Sequence, residues 1–372
     1  MPRVRLATIP TAIMCLSLLL PAPALAAAPS LSTRVIQSGL VIPWDVGFSP
    51  TGQMFVTERP GRIRVYASAK PGAALLATST INGVRAEGEA GLMGIAVDHN
   101  FNSNRLIYIC VSRNASGQWL NQVMRYRVRG DWKVEFDRWI IRYGMRANTI
   151  HNGCAVEEGP DQKIWVTMGD SNNAMWAQNP NRLNGKVLRV NRNGSVPSDN
   201  PIWPGNSAPS LVWSIGHRNP QGIAFQPGTN RVYVVEHGPE KDDEINWVRP
   251  GRNYGWPCRT GNNHPYQSCS GGATYVGPAW SSEGPTLATS GGTFVTGSNW
   301  ESWQNNLFVS TLKQSDVRRF TPQSGSYLLT MQATLFNNSW GRLRASVLGP
   351  GNQLFVTTSN GSNDRVVRIT PH

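Results

Sequence analysis

Charged residues are scarce in this sequence, and sustained helical periodicity is absent. Charged side chains make up 15% of the 372 residues. The apolar stretch over residues 13–20 is too short to span a bilayer, and no later stretch has the pattern of a membrane helix. We therefore expect neither a predominantly helical fold nor a membrane span. The 37 glycines and 26 prolines instead predict many turns, as in a loop-rich all-β protein.

Acidic residues are few relative to basic ones. The formal net charge is +13, and it falls to +11 if Arg3 and Arg5 are removed. The basic residues are scattered rather than clustered in the dense runs typical of a nucleic-acid-binding surface, so we expect no nucleic-acid partner. Two interpretations remain: an ordinary basic exported protein, or a basic funnel that attracts a small anionic ligand.

The first 26 residues have the pattern of an export signal. Arg3 and Arg5 precede the apolar stretch, and Ala24 and Ala26 fit the small-residue cleavage rule. We expect cleavage after Ala26 to leave residues 27–372 as a single domain. The sequence therefore predicts a secreted or periplasmic protein, either a monomer or a homodimer.

Cysteine is also scarce, with five residues in all. None has the spacing of a zinc site or of the Cys-x-x-Cys-His motif that attaches haem. Cys15 lies within the predicted signal, which leaves four cysteines in an oxidising compartment. Cys258 and Cys269 flank a short loop rich in Gly and Asn, so we expect them to pair. Cys110 and Cys154 would then pair by elimination.

One pattern recurs six times along the chain. Each copy is a turn rich in Gly, Pro, Asn or Asp, followed by a short strand with an aromatic residue at its centre. These aromatic residues are Phe55, Tyr108, Trp165, Tyr233, Phe308 and Phe355. Their spacing of 47 to 75 residues leaves room for four strands and their loops. The repeat predicts an all-β fold, a six-bladed β-propeller of four-stranded antiparallel blades, with the functional site on loops around the axis.

Four loops depart from the repeat. His151 precedes the third strand pattern, where a neutral imidazole could remove a hydroxyl proton or simply satisfy a loop carbonyl. Asp170 follows that strand and could orient the imidazole, or act as an ordinary turn residue. Arg218 lies in a polar loop and offers a planar fork to carboxylate or quinone oxygens. The loop of Gly238 and Pro239 precedes several carboxylates, as in a calcium site or a solvated acidic loop.

In this order, the loops resemble the soluble quinoprotein glucose/sorbosone dehydrogenase family, particularly its aldose sugar dehydrogenase branch. The resemblance extends from Pro43 to Ile369 and includes residues 43–46, 88–94 and 185–189. It implies a six-bladed propeller that oxidises the C1 hydroxyl of aldose sugars to lactones. It also implies two cofactors, pyrroloquinoline quinone (PQQ) and Ca²⁺, and an electron acceptor that the sequence does not identify.

The resemblance further implies roles for individual residues. His151 corresponds to the general base on the anomeric hydroxyl, Asp170 to the carboxylate beside it, and Arg218 to a catalytic group near the quinone oxygens. His151 and Arg218 also match cofactor-binding positions, together with Glu89, Asn219, His237, Ser290, Lys313, Arg342 and Arg344. The residues that match calcium ligands are Gly238 and Pro239, through their backbone carbonyls, and Glu244 and Tyr254 at a second, structural site.

Three positions depart from the family pattern. Glu89 stands where Gln is usual, so its carboxylate would have to be protonated, metal-bound or turned away from a trianionic cofactor. Thr289 stands where Pro is usual, and Cys154 replaces a usual Gly beside His151. Two other functions remain compatible with the sequence: a calcium-dependent lactonase-type hydrolase, and a non-catalytic binding propeller that has lost its cofactor.

Overall fold

The computed structural model describes residues 1–2, 27–269 and 273–372. All but the first two residues of the predicted export signal lie outside the described residues. Strands dominate the described part of the chain, and none of its helices is long and apolar enough to cross a membrane.

The strands form six sheets, which we number as blades 1 to 6 in chain order. The chain begins with β1 (Leu31–Leu40). Blade 1 contains β2 (Pro43–Phe48), β3 (Met54–Glu58), β4 (Arg62–Tyr66) and β5 (Leu75–Thr80). Blade 2 contains β6 (Leu92–Val97), β7 (Leu106–Ala115), β8 (Gln118–Val128) and β9 (Val134–Ile141). Blade 3 contains β10 (Gly153–Glu158), β11 (Lys163–Met168), β12 (Lys186–Asn191) and β13 (Val212–Ile215).

The second half of the chain repeats this arrangement. Blade 4 contains β14 (Asn219–Phe225), β15 (Val232–His237) and β16 (Glu244–Val248). The connection after it carries β17 (Arg252–Asn253), β18 (Arg259–Thr260), β19 (His264–Pro265) and β20 (Trp280–Ser281). Blade 5 contains β21 (Thr289–Phe294), β22 (Leu307–Thr311), β23 (Val317–Pro322) and β24 (Leu329–Leu335). Blade 6 contains β25 (Leu343–Gly349), β26 (Gln353–Thr358) and β27 (Asp364–Pro371).

Short elements fill the remaining connections. The α-helix α1 spans Phe101–Asn104, and 3₁₀ segments span Ala174–Gln178, Ser298–Trp303 and Pro350–Asn352. Within the long connection, β18 pairs with β19, whereas β20 completes blade 4 beside β16. β17 adds to blade 3 in parallel with β13, so this blade has five strands rather than the predicted four.

The prediction of six blades is confirmed, and the ring is closed. The first strands β2, β6, β10, β14, β21 and β25 contact one another in that order, and β25 returns to β2. β1 pairs with β27, so a strand from the beginning of the propeller completes the blade at its end. This closure ties the two ends of the propeller together and gives the fold one central axis.

The recurring aromatic residue packs between blades. All six predicted positions fall on the second strand of a blade, and all six side chains are buried. They belong to six hydrophobic clusters, each of which lies between two adjacent blades. A large planar side chain at this position fills the gap that opens between twisted sheets arranged around an axis.

Both expected disulfides are present. Cys110 on β7 is joined to Cys154 on β10, so the bond links blades 2 and 3 close to His151. Cys258 and Cys269 are joined within the long connection after blade 4. The pairing that follows from the sequence by elimination is therefore confirmed.

Two carboxylates lie along the central axis. A narrow cavity there is lined by residues from all six first strands, including Asp45 on β2 and Glu157 on β10. Burial raises the pKa of Asp45 from 3.8 to about 7, although backbone N–H groups of Ile95 and Val46 oppose the shift. Burial, followed by the charge of Asp45, raises the pKa of Glu157 well above its ordinary value. The pair is therefore more stable with at least one proton bound.

We expect this pair to make the stability of the fold depend on pH. Raised pKa values in the folded state mean that stability is fully present below the ordinary carboxyl pKa and is lost as pH rises through about 7. Glu157→Gln should therefore raise the thermal midpoint by a few degrees at pH 8 and change it little at pH 4.5. Differential scanning calorimetry measures this, with Glu135→Gln on the exposed part of β9 as the control. An equal effect of Glu157→Gln at both pH values would contradict the expectation.

Candidate active site

His151 and Asp170 form a hydrogen-bonded pair at the end of blade 3 where β10 begins. The Nδ1 atom of His151 lies 2.7 Å from Oδ1 of Asp170. Asp170 is buried and also accepts hydrogen bonds from Trp256 Nε1, at 2.8 Å, and from the backbone N–H of Asn172. A carboxylate only accepts hydrogen bonds, so Nδ1 carries the proton and Nε2 is left as the basic nitrogen. The His151 side chain remains 12% exposed, so a substrate can reach this nitrogen.

The backbone of His151 is held in a left-handed conformation. Its φ is +58°, which is unfavourable for a residue with a Cβ atom and costs about 1–3 kcal/mol. The backbone N–H donates to Oε2 of Glu89, at 2.8 Å, and the carbonyl accepts from the backbone N–H of Ser171. A Cβ atom at Gly169 would collide with the same carbonyl, so only glycine fits there. These contacts fix the imidazole on a rigid loop.

Glu89 therefore has defined partners. Its Oε2 atom also accepts from Nδ2 of Asn219, at 3.1 Å, while Oδ1 of Asn219 accepts from the backbone N–H of Gly153. The Oε2 atom of Glu89 is therefore held by the His151 loop and by Asn219. Glu89 precedes β6 of blade 2, Gly153 begins β10 of blade 3, and Asn219 begins β14 of blade 4. Their hydrogen bonds thus connect three blades next to the His151 loop.

Arg218 and Trp256 lie against the pair. The guanidinium of Arg218 lies over the Trp256 ring, 5.3 Å from its centroid, and Nη1 is 3.4 Å from the carbonyl oxygen of His237. Burial lowers the pKa of Arg218, and the charges of Asp170 and Glu89 oppose that shift. Trp256 therefore orients both the carboxylate and the cation. Sequence reasoning missed this role, because the contact depends on the connection after blade 4 returning across blade 3.

A second histidine–carboxylate pair lies nearby but is inaccessible. Nδ1 of His217 is 2.7 Å from Oε2 of Glu236, and Nε2 is 2.8 Å from Oγ of Ser214. All three side chains are buried, and the His217 ring stacks on Tyr254 at 5.0 Å between centroids. Although this set has the residue types of a hydrolytic triad, a substrate cannot reach it. We therefore interpret it as structural.

Basic side chains line a cavity of about 410 Å³ beside the His151 loop. Arg59, Arg342 and Arg344 contribute to its wall together with Glu89. Arg344 is buried, stacks on Trp44 and donates to Oε1 of Gln221, at 2.9 Å. Burial lowers the pKa of Arg344 to about 9, and Arg342 and Arg59 add to the shift while Glu89 opposes it. A group of mutually repelling cations is stabilised by an anionic ligand.

The remaining predicted cofactor-binding residues differ in exposure. Ser290 is buried and donates to the same Gln221 oxygen, at 3.2 Å. Lys313 and Arg342 are exposed. The Nε2 atom of His237 is buried and has no hydrogen-bond partner among the described residues. Burial and the nearby charges of Arg218 and Arg344 lower the pKa of His237 well below its ordinary value, so its imidazole is neutral.

Oxygen ligands are concentrated around Gly238 and Pro239. Both residues line a small cavity together with Asp242 and Glu244. Burial, and then the charge of Glu236, raises the pKa of Glu244 well above its ordinary value. The Oδ1 atom of the buried Asp242 has no partner among the described residues. Uncompensated carboxylates beside backbone carbonyls are the ligand set that Ca²⁺ prefers, so these residues fit the ion.

Tyr254 and Glu244 already make hydrogen bonds within the protein. The Tyr254 hydroxyl donates to the carbonyl of Trp247 and accepts from the backbone N–H of Arg249, and burial raises its pKa to about 12. The Tyr254 hydroxyl is thus already engaged within the protein, and its metal role stays a prediction. Glu244 accepts from the backbone N–H of Gly261, at 2.6 Å.

A possible ligand group that the sequence did not reveal lies next to this region. It consists of Asp242, His264 and Glu283, whose ligand atoms lie within 4.8 Å of one another. His264 and Glu283 belong to the connection after blade 4, where the sequence offers no motif with which to align them.

In three comparisons with known proteins, this chain is similar to sugar dehydrogenases. The family model described as Glucose / Sorbosone dehydrogenase matches residues 40–368. The aldose sugar dehydrogenase YliI of Escherichia coli is 30% identical over 363 residues, which cover 94% of this chain and 95% of that protein. The quinoprotein glucose dehydrogenase B of Acinetobacter calcoaceticus is 32% identical over 60% of this chain and 52% of its own length. The structure of the apo-form soluble aldose sugar dehydrogenase from Escherichia coli has a TM-score of 0.82 at 29% identity, with 92% of this chain and 100% of that chain covered.

Proposed function

The chain belongs to the glucose/sorbosone dehydrogenase family, and on that premise we propose that it oxidises the C1 hydroxyl of aldose sugars to lactones with PQQ and Ca²⁺. One arrangement of side chains supports this proposal most strongly. A histidine with a free Nε2 and a buried carboxylate partner lies beside a cation-lined cavity of about 410 Å³. That combination suits proton removal next to a bound polyanion.

The residues present fit the two cofactors. PQQ carries three carboxylates, and Arg59, Arg342 and Arg344 line the cavity that would hold it. Gly238 and Pro239, with the carboxylates near them, would hold Ca²⁺. When bound, PQQ supplies the two-electron acceptor and Ca²⁺ supplies a Lewis acid for it.

The protein's own groups account for the proton transfer. Nε2 of His151 takes the proton of the C1 hydroxyl, and the Asp170 carboxylate stabilises the imidazolium that forms. Glu89 and Asn219 keep the His151 loop in place through their hydrogen bonds. Arg218, fixed over Trp256, places a positive charge beside the reacting groups.

A hydrolase is the less well supported alternative. The set with hydrolytic residue types, Ser214, His217 and Glu236, is buried and stacked against Tyr254, so it cannot meet a lactone. A lactonase would instead need carboxylates around a metal in the axial tunnel. There, Asp45 and Glu157 line the cavity, and no third histidine, cysteine or carboxylate among the described residues joins them in a metal-ligand group.

We also propose that the protein is exported. Two disulfides, Cys110–Cys154 and Cys258–Cys269, are typical of an oxidising compartment. Expression in a bacterial host with intact secretion should yield a mature periplasmic or secreted protein beginning at residue 27. N-terminal sequencing of the mature protein tests this, and retention of residue 1 in a cytoplasmic product would contradict it.

Arg344→Met should weaken PQQ binding by about 10- to 100-fold, because a buried charge-assisted contact contributes about 1.5–3 kcal/mol. Methionine retains part of the packing on Trp44, so the fold should persist. Titration of the metal-loaded protein with PQQ, followed by absorbance, measures the effect without relying on turnover. Arg34→Met, at an exposed position on β1, is the matched control. An unchanged PQQ affinity for Arg344→Met would remove Arg344 from the cofactor site.

Dye-linked oxidation of a panel of aldoses tests the proposed function. We expect activity to require both PQQ and Ca²⁺ and to yield a lactone. A methyl glycoside, in which the C1 hydroxyl is blocked, should be inert and serves as the matched substrate. Reduction of the dye with the glycoside, or no activity with any aldose after PQQ is bound, would contradict the proposal.

A further inference from the structure

A second cavity lies between blades 3 and 4, at the end of the propeller opposite His151. Its volume is about 360 Å³, which is within the range of small-molecule sites. Pro160 and Asp161 form part of its wall in the turn after β10, whereas His151 precedes the same strand. Six residues of extended chain separate the two ends by roughly 20 Å. This cavity is therefore distinct from the site described above.

The inner wall of the cavity is aromatic. Trp165 packs edge-on against Trp213, at 4.9 Å between centroids, and against Phe225, at 6.0 Å. Trp247 and Val232 line the side formed by blade 4. Faces and edges of this kind suit a planar apolar ring, which gains both buried area and favourable ring geometry.

Three arginines line the same cavity, and they differ in their partners. Arg189 is neutralised by Asp161, at 2.8 Å, and by Asp199, at 2.9 Å. Arg231 and Arg249 have no carboxylate within 4.0 Å in the described ranges. The cavity wall thus contains two arginines without a carboxylate partner.

Arg231 and Arg249 both lie close to the Trp247 ring, with guanidinium carbons 5.3 and 4.9 Å from its centroid. Arg231 donates a hydrogen bond to the carbonyl of Ser326. The Nε atom of Arg249 is buried without a hydrogen-bond partner among the described residues. The rest of the guanidinium lies near the Tyr254 hydroxyl, and the residue is only half-buried. Arg249 is therefore available to a ligand.

From this arrangement we propose that the cavity between blades 3 and 4 binds a small aromatic carboxylate. The ring lies against Trp165, Trp213 and Phe225, and the carboxylate pairs with Arg249 and Arg231. A neutral sugar would leave both cations without a partner, and an inorganic anion would leave the aromatic wall unfilled. Because the cavity is separate from the His151 end, the inference does not depend on the proposed dehydrogenase activity.

The test uses 2-naphthoate as the probe and the full mature chain, free of PQQ, in isothermal titration calorimetry. We expect saturable binding with one site per chain. Arg249→Gln should weaken it about tenfold or more, since a charge-assisted hydrogen bond is lost. The neutral analogue 2-naphthamide should bind about tenfold more weakly than the carboxylate for the same reason.

Two variants distinguish this cavity from other arginine sites. Arg113→Gln alters a comparable cleft between blades 1 and 2, where Arg113 lies over Trp139, and should leave naphthoate affinity unchanged. Arg344→Met, at the opposite end of the axis, should also leave it unchanged. Loss of binding in either variant would place the naphthoate elsewhere and overturn the proposal.

The remaining outcomes are equally decisive. No saturable binding at millimolar naphthoate, equal affinity for the amide, or an unchanged affinity in both Arg249→Gln and Arg231→Gln would overturn the proposal. If Arg249→Gln is unstable in a thermal melt, Arg231→Gln supplies the same comparison.

Discussion

We expect His151→Gln to lower kcat with aldose substrates by about 10³-fold, the scale of a lost general base. Glutamine keeps a side chain of similar reach but cannot accept a proton at neutral pH. PQQ binding should change little, because the arginines that line the cavity are untouched. Stopped-flow measurement of kcat, paired with a PQQ titration, separates the two effects.

The matched control for this variant is His99→Asn. His99 is an exposed histidine and lies outside the described site, so its replacement should leave kcat unchanged. A His151→Gln protein that no longer binds PQQ would contradict the assignment of His151 as the base. So would a protein that retains most of its turnover.

Asp170→Asn should lower kcat by about 10²–10⁴-fold, although the side chain is nearly isosteric. The carboxylate fixes the Nδ1–H tautomer of His151 and stabilises the imidazolium, and a neutral amide does neither. The indole N–H of Trp256 can still donate to the oxygen of the substituted amide, so the loop should keep its position. Asp131→Asn, at an exposed turn, controls for the loss of one negative charge.

A double variant tests whether Asp170 acts through His151. If it does, His151→Gln combined with Asp170→Asn should be no slower than His151→Gln alone. If the fold-decreases in kcat of the two single variants multiply in the double variant, Asp170 has a separate function, such as placing Arg218 through Trp256. Thermal midpoints of the three variants would show whether instability contributes.

The propeller could be predicted because its repeat has a direct physical cause. Each recurring aromatic residue fills the space between two twisted blades, so the position cannot be polar and must recur once per blade. By contrast, β17 and β20 are two residues long and carry no periodicity that a pattern could reveal. Their pairing is set by the path of the long connection after blade 4. The fifth strand of blade 3 was therefore not predictable.

The sequence singled out candidate residues more readily than it separated their roles. His151 and His217 both lie on glycine-containing loops, and both have a carboxylate partner at 2.7 Å. Only burial distinguishes them, since His217 is enclosed and His151 is not. Burial at a blade end depends on which loops fold over it.

The contacts of Glu89 and Trp256 could not be predicted from the sequence either. The carboxylate of Glu89 meets the backbone of His151 across 62 positions of sequence, and Trp256 meets Asp170 across 86. Neither contact has a local signature. Both become visible only when three blades and the long connection are placed around one axis.

The isotope effect at C1 in a single turnover tests the central claim most directly. The PQQ- and Ca²⁺-loaded protein would be mixed anaerobically with glucose deuterated at C1, and the quinone absorbance followed over time. Oxidation of the C1 hydroxyl predicts bleaching that is several-fold slower than with unlabelled glucose, and no change with glucose deuterated at C6. Bleaching that is insensitive to deuterium at C1, or sensitive to deuterium at C6, would contradict it.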